Sequence, residues 1–367
     1  MANKPSVFLS HIHLKNFRCF TSFELDLEQS IVLFEGSNGI GKTSLLEALY
    51  YACYLRSFRT HSPKELVRFG NDGFFVNIQV TNNLMDQELM HDIQVGFSHK
   101  RKLVKIDQKP IVSYKELMHM YRVVSLTEDD LTLIQGEPQA RRTFMDHVLL
   151  LINPDYLVVL KSYRNILDQR NALLQQRSFN RVTYEILTKQ LWEQSQMIQE
   201  ARVEGVAKLN DSITELIARY FDNSFTITCR YKPKRNLHES LEDFTVAYPM
   251  LYDQELRFGR SLFGAHLDDL SIMFQSITAK DFASRGQQKL IVLLVKIAQA
   301  KQLAYAGSAA LMLLDDFMTD FDPEKGRVLL NILMDLDLQL IFTSPMEDGM
   351  LSRYLRERGA QAQKITY

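Results

Sequence analysis

Residues Gly36-Ser37-Asn38-Gly39-Ile40-Gly41-Lys42-Thr43 fit G-x-x-x-x-G-K-[ST], the pattern of a phosphate-binding loop. The context is the one the pattern requires. Ser30-Ile-Val-Leu-Phe-Glu35 reads as a short buried strand, and Thr43-Ser44-Leu-Leu-Glu-Ala-Leu-Tyr-Tyr-Ala-Cys53 reads as a helix. Glycines let the backbone curl so that its N–H groups point inward, where the helix N-terminus adds positive potential. The loop from Gly36 to Ser44 is therefore the candidate nucleotide site. Lys42 reaches for the β- and γ-phosphates of ATP and the Thr43 hydroxyl for Mg²⁺.

A chain of 367 residues is too long for one compact core and fits about two domains. Its formal net charge of -1 gives no compositional sign of a nucleic-acid partner, so any such surface is a local patch. The densest basic stretch in the first half is His99-Lys100-Arg101-Lys102, with Lys105 and Lys109 close by. It reads either as a solvated turn or as a contact for a phosphate backbone. Cys19, Cys53 and Cys229 are odd in number and widely scattered, which predicts free thiols rather than a disulfide framework or a zinc site. No apolar run suggests a signal peptide or a membrane span, so a cytoplasmic protein is the expectation.

Strand-like alternation appears at Val7–Leu14 and again at Phe23–Leu27, ahead of the strand that carries the loop. The three suggest a sheet-based nucleotide-binding lobe. His11 and His13 share a face of the first strand, but without a carboxylate or cysteine cluster they read as surface or packing histidines. Strands are predicted at Phe74–Val80 and Asp92–Phe97, and a hairpin at Leu103–Pro110. From Arg141 to Tyr220 apolar residues recur at helical spacing, as at Tyr156, Leu157, Leu160, Tyr163, Ile166 and Leu167, and Asn153-Pro154 fits a helix start. Strand pattern resumes at Ser224–Tyr231.

Far downstream, Leu311-Met-Leu-Leu-Asp315-Asp316 is an apolar strand ending in two acids. Such a strand is the partner a phosphate loop needs: Asp315 would hold Mg²⁺ through water, and Asp316 would polarise the attacking water. Before it, Ser284-Arg285-Gly286-Gln287-Gln288 opens a helix over Lys289–Gln299, which is either a second anion site or a simple helix cap.

Taken together, these elements resemble the ATP-binding-cassette head of the SMC-like ATPases and, more narrowly, the RecF family of bacterial recombination-repair mediators. The matching pieces include Asn16-Phe-Arg18, Gly36–Thr43, Leu46-Glu-Ala-Leu49, Arg56-Ser-Phe-Arg59 and Glu128-Asp-Asp-Leu131. They continue with Gly136-x-Pro138-x-x-Arg141-Arg142-x-Phe144-x-Asp146, Gln169-Arg-Asn171 and Gly264-x-His266-x-Asp268-Asp269. Gly286-Gln-Gln288, Leu314-Asp-Asp316 and Phe342-Thr343 complete the series, in family order from end to end. The chain departs from the pattern at three places. Ala265 stands for the usual proline, Arg285 for the usual glutamine, and Thr319-Asp320-Phe321-Asp322 for the usual Ser-Glu-Leu-Asp loop.

The resemblance implies an α/β, ABC-type P-loop ATPase head with an inserted, mostly α-helical arm. The head is expected over 1–140 plus 255–367 and the arm over 141–254. It implies a weak ATPase with ATP and Mg²⁺ as cofactors, Lys42 and Asp316 as catalytic residues, and Thr43, Asp315 and the Q-loop-like Gln135 around the metal. It also implies ATP-driven head-to-tail dimers in which Ser284, Gly286 and Gln287 meet the partner's nucleotide, and DNA binding with Lys100, Arg101 and Lys102 as candidates. Gapped or junction DNA, RecR, RecO and RecA loading, DNA replication, repair and the SOS response come from the resemblance alone. A transporter's ATPase subunit is the alternative, but it would be shorter, without a long helical insertion. An SMC-type ATPase needs far more coiled coil than this chain holds.

Overall fold

The computed structural model describes residues 5, 7–84, 87–111, 117, 121–176, 180–222, 224–235, 240–305, 310–316, 321–345, 349–358 and 360–366. In chain order the strands begin with β1 (Val7–Phe17), β2 (Phe20–Asp26) and β3 (Ile31–Glu35), followed by helix α1 (Lys42–Tyr54). Next come β4 (Gly73–Leu84), β5 (Gln87–Ser98), β6 (Arg101–Ile106), β7 (Lys109–Pro110) and β8 (Arg122–Leu126). Helices α2 (Pro138–Ile152), α3 (Tyr156–Leu174) and α4 (Arg181–Tyr220) lead to β9 (Ile227–Lys232), α5 (Leu241–Ala247), α6 (Leu251–Phe258), β10 (Asp269–Phe274) and β11 (Ile277–Thr278). The chain closes with α7 (Arg285–Tyr305), β12 (Ala310–Leu314), α8 (Pro323–Met334), β13 (Gln339–Ser344), α9 (Gly349–Glu357) and β14 (Ala362–Thr366).

These elements form two compact units, one of residues 1–131 with 285–367 and one of residues 132–284. The sequence expectation placed the arm at 141–254. The second unit takes in more chain on both sides because β10 pairs with β9, and because Arg141 in α2 closes on Asp269.

Unit 1 holds two sheets rather than one. The strand that carries the loop lies in a five-stranded parallel sheet ordered β14-β3-β13-β12-β8, while β1 and β2 belong to a six-stranded antiparallel sheet ordered β2-β1-β4-β5-β6-β7. Every residue of β3, β8 and β13 is buried, as in strands covered on both faces, and polar residues among them, such as Gln339 and Thr343, are hydrogen-bonded. Gln339 stitches the sheets together. Its side chain accepts from Leu9 N at 2.7 Å and donates to Leu9 O at 3.0 Å, so a buried amide satisfies the backbone of β1. The expected hairpin exists as β6–β7, turning at Asp107 and Gln108, both with positive φ.

In unit 2, α4 runs for 40 residues, roughly 60 Å at the helical rise, and begins where the Asn180 side chain accepts from Thr183 N. The helix expected at Asn153-Pro154 starts at Tyr156, and Asn153 Oδ1 accepts from Asp155 N in the turn before it. The core of unit 2 is polar as well as apolar. Arg170 and Glu255 are fully buried and paired at 2.5 Å, and Glu255 also accepts from Tyr184 Oη and Leu262 N. Asp268, fully buried, accepts from Gln199, Arg202, Tyr231 and Lys234 N.

Gly264 sits at φ 112, and a Cβ there would lie 2.6 Å from Tyr163 Oη. That hydroxyl accepts from His266 N at 3.0 Å and shares a hydrogen bond with His266 Nδ1 at 2.6 Å, and burial lowers the His266 pKa to about 4. The Gly264–Asp269 motif is thus the joint of this unit. Ala265 occupies the first position of a 3₁₀ turn, where proline and alanine both fit, and its carbonyl accepts from Arg202.

Glu255→Ala would leave the Arg170 charge buried without its partner, at an expected cost of about 3–5 kcal/mol. Urea unfolding followed by Trp192, the one tryptophan in the chain and a core residue of unit 2, should show a clearly lowered midpoint. An unmoved midpoint would show that the pair contributes nothing to the unit.

Candidate functional site

The loop between β3 and α1 is shaped by two glycines with positive φ, Gly39 at 87° and Gly41 at 114°. At Gly41 a side chain is excluded twice over, since an added Cβ would come within 2.6 Å of Cys19 Sγ and 2.8 Å of Phe20 Cζ. The loop is anchored at its start, where Gly36 N donates to Ser344 O at 3.3 Å. Ser37, Asn38 and Gly39 are exposed, whereas Lys42 is only 8% exposed and donates to Gly36 O at 2.8 Å and Ser37 O at 3.3 Å. Thr43 and Ser44 follow in the first turn of α1.

Opposite stands the end of β12. Its neighbour β8 fixes its height, because Asp315 N donates to Leu126 O at 2.9 Å. Thr43 Oγ1 donates to Asp315 Oδ1 at 3.1 Å, and Thr343 Oγ1 donates to the same oxygen at 2.7 Å. Burial raises the Asp315 pKa, against the hydrogen bonds from Thr343 and Thr43. Asp316 turns with φ 40, in a region where aspartate is over-represented, and its N–H donates to Thr343 Oγ1 at 2.9 Å. Thr343 therefore orients both acids. Phe342-Thr343 stood out in the sequence, but only the parallel pairing of β13 with β12 shows what Thr343 does.

A second group supports α1 from behind. Glu47 is fully buried and accepts from Arg18 Nε and Nη2, each at 2.7 Å, and from Ser57 Oγ, with Arg59 Nη1 at 3.7 Å. Three separate sequence motifs thus meet on one carboxylate. Arg59 also bears electrostatically on Asp315, which places a cation within reach of the site.

Gly286 and Gln287 lie in the first turn of α7, and Ser284, exposed, ends the second unit. Gln135, also exposed, belongs to the second unit and is not among the residues that unit 1 gathers around Asp315. Thr319 and Asp320 fall outside the described residues, while Asp322 caps α8 by accepting from Lys325 N at 2.9 Å. Of the basic stretch, His99 and Lys100 form the β5–β6 turn with positive φ, and Lys100 and Arg101 are exposed. The Lys102 ammonium is instead committed to Leu55 O at 2.9 Å.

His11 faces Asp26 at 2.7 Å and Glu24 at 3.4 Å across the β1–β2 pair. Among the described residues no group of three or more His, Cys, Asp or Glu side chains is placed to hold a metal ion. The three cysteines are free. No helix among the described residues is long and apolar enough to cross a membrane.

Comparison with known proteins adds the following. A family model described as an AAA domain matches residues 11–223, more than half of the chain. The DNA replication and repair protein RecF of Lactobacillus johnsonii is 31% identical over 93% of each chain. That of Clostridium acetobutylicum is 27% identical, covering 95% of this chain and 96% of its own. Among solved structures, one of the recombination mediator protein RecF with ATP in the RecFOR pathway has a TM-score of 0.83 at 24% identity, covering 95% of this chain and 94% of that one. The Smc head domain from Pyrococcus furiosus, with an extended coiled coil and bound to the C-terminal domain of ScpA, has a TM-score of 0.54 at 14% identity, covering 94% of this chain and 91% of its own. These likenesses bear out the expected fold class, an α/β P-loop head of the ABC and SMC type.

Proposed function

The chain belongs to the RecF family of DNA replication and repair proteins, and from that membership we propose that it works as an ATP-gated clamp on DNA. The observation that carries this reading is the 3.1 Å approach of Thr43 to Asp315, which joins the phosphate loop to the acid-tipped strand although 272 positions separate them in sequence. ATP lies along Gly36–Ser44, with the Lys42 ammonium moving from loop carbonyls to the β- and γ-phosphates. Thr43 and Asp315 would supply the oxygen pair for Mg²⁺. So few protein ligands suit a cation that keeps its waters and takes phosphate oxygens. Mg²⁺, when bound, offsets the charge that builds on the transferring phosphoryl group. Asp316 orients the water that attacks.

Two copies pack head to tail, so that Ser284, Gly286 and Gln287 of one complete the pocket of the other. ATP then favours the dimer by its differential affinity, and slow hydrolysis releases it. Lys100 and Arg101 are the better candidates for phosphate contacts on gapped or junction DNA, since Lys102 is held by Leu55. The same reading includes the cytoplasm as location, RecO and RecR as partners, and assistance to RecA loading. A solved relative placed with ATP in the RecFOR pathway supports it.

Light scattering tests the clamp. The wild type should pass from monomer to dimer on adding ATP and Mg²⁺, and Ser284→Arg should remain monomeric while still binding ATP. A wild type that encloses ATP as a monomer would overturn the composite pocket.

A further inference from the structure

The six-stranded antiparallel sheet of unit 1 carries a groove of about 520 Å³ on the face turned away from the apolar core. The register shows how it is built. Lys15 pairs with Phe75, Phe75 with Gly96 and Gly96 with Leu103, so these four stand in a row across β1, β4, β5 and β6. Their neighbours along the strands, Phe74, Val95 and Val104, point the other way into the core. Lys15 and Leu103 are exposed, and Phe75 is half-buried, met edge-on by His13 with ring centroids 6.2 Å apart.

Gly96 is the residue that requires a reason. A glycine inside a strand weakens it, and the structural reasons for keeping one are a bulge, a positive φ or crowding. None applies. The register runs unbroken through Gly96 on both sides and its φ is not positive. An added Cβ would meet Leu103 Cβ and Phe75 Cδ2 at 4.0 Å, an ordinary contact. Gly73, in the same groove, is the contrast, since a Cβ there would collide with Phe97 O. At Gly96 the remaining reason is close approach by something outside the chain. The missing side chain leaves a slot between the Phe75 ring and Leu103.

Cations flank that slot. Lys15 ends the row, and Arg101, which pairs with Ser98 at the β5–β6 turn, also lines the groove. Both are exposed, and neither forms an ion pair among the described residues. Asp72 is the one acid among the described residues that line the groove, so an anion is favoured there. An apolar slot with an aromatic wall and cations at its rim suits a flat ring carried on a phosphate chain. A duplex keeps its rings stacked inside and has no flat face to offer.

We propose that this groove binds single-stranded DNA, an unpaired base entering the slot over Gly96 against Phe75 while Lys15 and Arg101 take the flanking phosphates. The site rests on the DNA reading given above and adds to it the part of a gap that has no partner strand.

The test is fluorescence anisotropy of the full chain, with ATP and Mg²⁺, on three labelled probes of equal length: oligo-dT, a strand of abasic residues and a duplex. The wild type should bind oligo-dT about tenfold more tightly than the abasic strand, the effect of one stacked base. Gly96→Leu, which fills the slot, and Phe75→Leu, which removes the ring and keeps an apolar side chain, should each weaken oligo-dT about tenfold and the duplex less than about twofold. Lys15→Ala should lower the slope of log affinity against log salt on oligo-dT by about 0.7, the share of one phosphate on a single strand. The abasic comparison uses no variant, so it decides the matter even where a substitution unfolds the sheet. Equal affinity of the wild type for oligo-dT and the abasic strand would overturn the assignment. Oligo-dT binding that both slot substitutions leave unchanged would overturn it too, as would equal losses on oligo-dT and duplex. A wild type that binds the duplex but neither single strand would remove this site alone. One that binds no DNA would remove the DNA reading and this site together.

Discussion

Lys42→Ala should lower the affinity for ATP by about 10²–10⁴-fold, the effect of losing charged hydrogen bonds to two phosphates at about 1.5–3 kcal/mol each. The ammonium is nearly buried, 8% exposed, and its reach is fixed by bonds to Gly36 O and Ser37 O. No other side chain on the loop carries a positive charge, so nothing local substitutes for it. ATP-driven dimerisation should disappear with binding. Removing the lysine frees the carbonyls of buried Gly36 and exposed Ser37, and the space the side chain vacates beside Ser37 admits water to both, so the variant should remain folded. Titration with a fluorescent ATP analogue, next to a thermal melt, separates the two effects. Unchanged ATP affinity in a folded variant would show that the loop is not where the triphosphate binds.

What the sequence disclosed was decided within a few residues of chain. The strand into the loop, the helix out of it and the acid-tipped β12 each carry their pattern locally, and each stands where it was expected. The division of unit 1 into two sheets was not legible, because Gln339 joins β13 to β1 across 330 positions and nothing near either end announces it. The same limit hid the meaning of the motif residues. Arg18, Glu47 and Arg59 look like three unrelated matches until α1 folds against the strands and puts them on one carboxylate.

Likewise Arg141, Arg142, Asp146 and Asp268–Asp269 stand in the sequence only as pieces of matching motifs, and the structure spends them on the joint of unit 2. Charged residues buried in pairs and charged residues awaiting a ligand have the same signature in one sequence. Only burial and partners distinguish them.

Asp316→Asn should separate binding from turnover. The side chain lines a cleft beside the phosphate loop with Asp315 but, unlike Asp315, makes no hydrogen bond with Thr43, so its loss should leave the Mg²⁺ oxygens intact. Asparagine keeps the size of the carboxylate and its Oδ1 beside Thr343, while giving up the basicity that orients and deprotonates water. Hydrolysis should fall by about 10²–10⁴-fold, the range expected for a removed general base, with ATP affinity nearly unchanged.

On the proposed reading, in which γ-phosphate cleavage opens the clamp, the ATP-bound dimer should accumulate and persist on size exclusion, where the wild type should return to monomer. Asp315→Asn should behave differently, losing Mg²⁺-dependent ATP affinity along with turnover. Turnover by Asp316→Asn close to the wild-type rate would move the catalytic role to another side chain, with Glu128 the next carboxylate along the same cleft.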